Sequence, residues 1–99
     1  MSKAFVIRYE MRPDTADDNQ RLIEGVFAEL ASKAPEGISY ASFRLGDGVT
    51  FVHVGQMAEG AALTDFPAFQ EFQKGFGERA AGAPDANEAK IIGSYGFGS

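Results

Sequence analysis

Ninety-nine residues, 44% hydrophobic and 23% charged, fit one ordinary globular domain spanning 1–99, with chain enough for a single modest core. A formal net charge of −5 argues against nucleic acid or an anionic membrane as partner, because both reward a basic surface. With no cysteine and one histidine there is no disulfide, thiolate nucleophile or iron–sulfur ligand set, and a protein-built zinc or copper site within one chain is not expected.

In chain order, the start MSKAFVIRYE has one lysine and a short apolar run interrupted by Arg8. It has neither the length nor the small-residue cleavage site of a signal peptide, and no run of eighteen apolar residues follows, so a cytoplasmic chain is expected. Residues 4–10 are β-branched and aromatic and read as a strand that ends before Pro13. A helix is expected over 15–34. Thr15 stands at its N-cap, Asp17 and Asp18 lie in the first turn where the dipole favours negative charge, and Leu22, Ile23, Val26, Phe27, Leu30, Ala31 and Ala34 line one side. Pro35 and Gly37 end it.

The stretch Tyr40 to Met57 predicts a β-hairpin with strands near 38–45 and 49–57, closed by Asp47-Gly48. A second helix is expected over 66–81, opened by Pro67 with Asp65 or Phe66 as cap, and carrying Phe69, Phe72, Gln73 and Phe76 as its stripe. Gly75 and Gly77 weaken it, each by about 1 kcal/mol relative to alanine. Ala80 to Asn87 reads as loop, 88–97 as the last strand, and the tail GFGS as frayed.

The resulting order, β-α-β-β-α-β, predicts an α+β ferredoxin-like fold: an antiparallel sheet with both helices on one side. A two-residue turn at Asp47-Gly48 would set Gly46 opposite Val49, Leu45 opposite Thr50, Phe43 opposite Val52 and Ala41 opposite Val54. That aliphatic set is the one expected to meet the helices. The other face then carries Tyr40, Ser42, Arg44, Phe51, His53 and Met57, too aromatic to stay wet over its whole area, which predicts a homodimer through that face.

The element order, the GDG hairpin tip and the segment Phe66-Pro-Ala-Phe-Gln-Glu-Phe72 resemble the antibiotic biosynthesis monooxygenase family. The resemblance spans nearly the whole chain as pattern, and in residues it covers the hairpin and the proline-aromatic helix start. It implies a dimeric α+β barrel built from two facing sheets, with a ligand between helix and sheet. Members include cofactor-independent oxygenases of aromatic polyketides and haem-degrading enzymes. The latter use an asparagine on the first strand, a tryptophan, and a histidine on the second helix. This chain has no Trp, no Asn on its first strand and its histidine on a strand, so haem degradation does not carry over.

His53 is the one neutral-range proton carrier among the side chains, suited to general acid–base work or to a quiet structural hydrogen bond. Tyr40 and Arg44 share its face in the expected pairing. Arg44 would stabilise developing negative charge or pair with a carboxylate of a partner subunit. Phe69, Phe72 and Phe76 are candidates for an aromatic-ligand pocket or simple packing. Glu10, Asp14, Asp17 and Asp18 lack the oxygen-ligand spacing of a calcium loop, Gly93 to Gly98 lacks the context of a phosphate loop, and neither Ser42 nor Ser94 sits in a nucleophile elbow. No flavin, nicotinamide, haem or metal motif is present. The resemblance implies a cofactor-independent monooxygenase or proton-transfer enzyme for a small hydrophobic aromatic or carbonyl compound; the alternative is a non-catalytic homodimer that binds a small ligand or serves a structural role.

Overall fold

The computed structural model describes residues 3–96, with the side chain of Lys3 left aside. The chain runs through strand β1 (Lys3–Glu10), helix α1 (Ala16–Lys33), strands β2 (Ile38–Arg44) and β3 (Thr50–Met57), a 3₁₀ turn (Leu63–Asp65), short helices α2 (Pro67–Gln73) and α3 (Phe76–Arg79), and strand β4 (Asp85–Ala89). The sheet order is β2-β3-β1-β4 with every pairing antiparallel, so the expected ferredoxin-like arrangement is present.

Helix α1 carries Asp17 and Asp18 in its first turn and Lys33 in its last, each matched to the local end of the dipole. Its ends differ from expectation. The Thr15 hydroxyl accepts nothing from the helix; it donates to the carbonyls of Arg12 and Arg79, at 3.1 and 2.7 Å, and so joins the helix start to the end of α3. At the other end Ala34, rather than a glycine, takes the left-handed conformation and returns its N–H to Leu30 O.

The hairpin register is the expected one: Phe43 opposes Val52, Ala41 opposes Val54, and Leu45 N–H donates to Thr50 O at 2.8 Å. Its tip is wider than two residues, because Gly48 N–H closes a turn back to Leu45 O and Gly46–Val49 lie beyond the ladder. Two extra residues preserve the side-chain parity, which is why the register survives. Gly48 supplies the positive φ of 79°, and Asp47 accepts from the N–H groups of Val49 and Thr50.

The faces are reversed from the expected assignment. Phe51 and His53 are buried under the helices, and Tyr40 stacks on Phe27 of α1 at 5.2 Å. The aliphatic set instead lies on the side without helices, where Val6, Phe43 and Leu45 are exposed. Each aromatic ring buries more apolar area than a Val or Leu, so the ring-bearing face wins the helices. Tyr9, Met11, Ala16, Ile23, Val26, Phe51 and Phe72 form the core between sheet and helices.

The second helical region also departs from one continuous helix over 66–81. Lys74 is extended and Gly75 left-handed, at φ 77°, so α2 and α3 are separate. Phe66 at the start of α2 makes no side-chain cap; Glu29 of α1 does that work from outside, accepting Ala68 N–H at 2.8 Å. The last strand lies earlier than 88–97, on residues expected to be loop: Ala86 pairs with Ile7 and Glu88 with Phe5, whereas Ile91, Ile92 and Tyr95 follow the strand exposed. Backbone pairing to β1 overrides the weak β-propensity of DANEA. The expected fraying of the tail falls partly on 97–99, outside the described residues.

Candidate functional site

Strand alternation places Phe5, Ile7 and Tyr9 of β1 on the helix side, opposite Gly55, His53 and Phe51 of β3, and β2 adds Tyr40 and Ser42 across from Gly55 and His53. The imidazole of His53, 3% exposed, is bracketed by two parallel rings, Tyr9 at 5.3 Å and Tyr40 at 5.7 Å, with Phe72 tilted against it at 5.7 Å. Both of its nitrogens have partners. Nε2 is 2.6 Å from Tyr9 Oη, and Nδ1 is 2.6 Å from Tyr40 Oη and 2.7 Å from Ser42 Oγ.

Behind this cluster lies a buried polar chain. Asn19, fully buried on α1, donates from Nδ2 to Tyr9 Oη at 3.0 Å, and Arg79 Nε donates to Asn19 Oδ1 at 3.4 Å. Arg79 is itself held by the carbonyls of Phe72 and Lys74, at 2.6 and 3.2 Å, and lies over the rings of Phe72 and Phe76.

Burial dominates the electrostatics. It pulls His53 from 6.5 down to about 4, so the imidazole is neutral at ordinary pH. Burial likewise pushes Tyr40 up to about 12, against a smaller opposing effect of its Ser42 hydrogen bond. Tyr9 is raised by burial as well, only partly offset by Asn19. Both tyrosines are therefore neutral phenols able to donate.

The cluster forms part of the wall of a cleft of about 1310 Å³ between the sheet, α2 and the segment after β3. Ile7, Leu63, Phe69, Phe72 and Phe76 provide apolar wall; Tyr9, Tyr40 and His53 bring polar groups to it. The three phenylalanines expected to line a pocket do so, and Phe72 is also part of the core, so pocket and packing are one surface.

Arg44 does not join His53. Its guanidinium donates to Asp17 Oδ1 at 3.0 Å, Gln20 Oε1 at 2.7 Å and Gly48 O at 2.9 Å, and lies over Phe51. It shares the helix-side face, but Asp17 and Gln20 at the start of α1 draw its long side chain toward them. Sequence reading missed Tyr9, Asn19 and Arg79. Tyr9 alternates with Phe5 and Ile7, and Asn19 stands four residues before Ile23 on the apolar side of α1, so a polar residue in a core position was the available signal. Among the described residues no group of three His, Cys, Asp or Glu side chains could hold a metal ion.

No protein-family model matches the chain, and no curated protein matches it in sequence. Solved structures do match in shape. A Mycobacterium tuberculosis protein superposes with TM-score 0.77 at 16% identity, over 95% of this chain and 98% of its own. A Nitrosomonas europaea protein, whose name places it provisionally among antibiotic biosynthesis monooxygenases, gives 0.76 at 9% identity, over 92% and 90%. SnoaB of Streptomyces nogalater, named as a cofactor-independent oxygenase, gives 0.68 at 12% identity, over 96% and 97%. The chain thus has the ferredoxin-like fold found in antibiotic biosynthesis monooxygenase-like proteins.

Proposed function

We propose that this protein is a cofactor-independent monooxygenase or proton-transfer enzyme of the antibiotic biosynthesis monooxygenase type, acting on a small hydrophobic aromatic or carbonyl compound. The observation that carries the reading is the meeting of Tyr9, Tyr40 and His53 in the wall of an apolar, aromatic cleft. The fold shared with a named cofactor-independent oxygenase supports it. The proposed substrate has an acidic C–H beside an aromatic ring or carbonyl. Transfer of that proton to solvent water leaves a carbanion whose charge rests on oxygen, where hydrogen bonds from the site stabilise it. The carbanion forms a C–O bond with O₂, and protonation of the distal oxygen gives a hydroperoxide. Loss of water converts it to a carbonyl, so substrate CH₂ and O₂ become C=O and H₂O.

The catalytic roles fall to Tyr40 and His53, with Tyr9 and Ser42 assisting; Arg44 is outside the proposed site. The experiment is oxygen uptake and product mass with anthrone and related acidic aromatic ketones, for wild type and His53→Ala. A loss of about 10²-fold or more is expected in the variant. Equal turnover per folded chain would end the catalytic role of His53.

A second reading, a non-catalytic ligand-binding protein, is favoured by one observation: both nitrogens of His53 already have partners. It predicts ligand binding without oxygen uptake. In either reading we propose a homodimer, now through the aliphatic open face rather than the aromatic one. The exposure of Val6 and Leu45 there supports it.

A further inference from the structure

We propose that the buried polar chain is a one-way series of hydrogen-bond donors, Arg79 to Asn19 to Tyr9 to His53 to Tyr40, whose last proton is offered to an anionic oxygen of the ligand, a phenolate or enolate. This deepens the functional reading above and rests on the cleft being the ligand site.

The direction follows from what each group is able to do. A guanidinium only donates, so the Asn19 atom facing Arg79 Nε is the carbonyl Oδ1, and the amide NH₂ must face Tyr9. Tyr9 Oη therefore accepts from Asn19. Its own proton then goes to His53 Nε2, 2.6 Å away. Were Nε2 protonated instead, two donors would converge on Tyr9 and leave its proton facing only the apolar side chains of the cleft wall, Ile7, Phe72 and Phe76 among them. A neutral imidazole that accepts at Nε2 carries its proton on Nδ1. That proton faces Tyr40 Oη at 2.6 Å and Ser42 Oγ at 2.7 Å, and both oxygens accept it.

Tyr40 lines the cleft and Ser42 does not. Because Tyr40 Oη accepts from His53, its own proton points away from the imidazole and into the cleft. Each donor is polarised by the one behind it, and the series begins at a permanent cation. A carboxylate does line the cleft at Glu88, but Glu88 pairs with Phe5, which pairs with Gly55, which pairs with Tyr40. Three strand spacings, about 14 Å, separate it from Tyr40. Glu59, also in the lining, is exposed. Asn19 and Arg79 are positioning residues in this scheme: they touch no ligand and set the direction of protons that do.

Because His53 is the only histidine, nitrogen NMR of labelled wild-type protein reads its tautomer without ambiguity. The expected form has Nδ1 protonated and Nε2 accepting; the opposite tautomer overturns the proposal. The second measurement uses para-nitrophenol, whose ionisation is visible by absorbance. Bound to the wild type, its apparent pKa should fall by a pH unit or more, and Tyr40→Phe should weaken phenolate binding about tenfold. Asn19→Asp keeps the shape but replaces the donor with an acceptor, and should invert the tautomer and remove the shift. A bound nitrophenol with an unchanged or raised pKa overturns the proposal, as does failure to bind. Lowered pKa without oxidation of any aromatic ketone would keep the donor chain and end the oxygenase reading. The opposite tautomer with oxygen uptake intact would do the reverse.

Discussion

His53 is uncharged because leaving water costs its cation more than its neutral form. Its folded pKa, about 4, lies below the unfolded value of 6.5, so the stability it contributes is fully present above pH 6.5 and is lost as pH falls toward 4. In that window the unfolded chain binds a proton that the folded chain refuses. Stability should fall by up to about 1.4 kcal/mol per pH unit, read as a lower urea midpoint. His53→Gln should flatten the profile between pH 6.5 and 5, where Asp47 and Glu29, both held below the usual carboxylate range by hydrogen bonds, remain ionised. An unchanged slope would assign the dependence elsewhere. Arg44 makes a contrasting prediction. Its ion pair with Asp17 is largely solvent-exposed on the aspartate side, so Arg44→Gln should cost less than about 1 kcal/mol and leave turnover per folded chain unchanged. A large loss of kcat would return Arg44 to the site.

At the scale of elements, β3 is fitted to its neighbours by a missing side chain. A Cβ at Gly55 would lie 2.6 Å from Phe5 Cζ and 3.1 Å from Tyr40 Cδ1, so the glycine is what allows the two rings to close over the strand. Gly55→Ala should destabilise by about 1–3 kcal/mol through overpacking, measured by thermal or urea unfolding. Because Tyr40 is one of the displaced rings, the same change should also weaken ligand binding; an alanine variant of native stability and affinity would contradict this account. The break between α2 and α3 serves the site in a related way. The chain turns at Gly75, and Arg79 then reaches back to the carbonyls of Phe72 and Lys74 while its Nε meets Asn19. A single straight helix over 66–81 would carry Arg79 along its axis instead of folding it back.

For the whole molecule, the unresolved balance is the open face of the sheet. Val6 and Leu45 are exposed there, and Ile91, Ile92 and Tyr95 extend beyond β4. The proposed homodimer would bury that surface. Light scattering should report a dimer at micromolar concentration, and Val6→Glu with Leu45→Glu should shift it toward monomer, because an unpaired charge is costly at a buried interface. A monomer in the wild type would count against the assembly. No helix among the described residues is long and apolar enough to cross a membrane.

Much of this was legible in one dimension. Period-2 alternation in β1 and the hairpin, the 3.6-residue stripe of α1, and turn residues at 47–48 define the element order and even the hairpin register, because all are local patterns. Local pattern also grouped Tyr40 with His53, two residues apart in register on neighbouring strands, once the register was known. It did not say which face the helices cover, since both faces were apolar and only competition for burial in three dimensions separates them. Nor did it find β4 in DANEA, whose strand exists through pairing to β1, or gather Asn19 and Arg79 behind Tyr9. Arg44 had the right face and the wrong neighbours. Alternation assigns a side chain to a face; where its long arm ends depends on the partners that packing brings within reach, here Asp17 and Gln20 of α1.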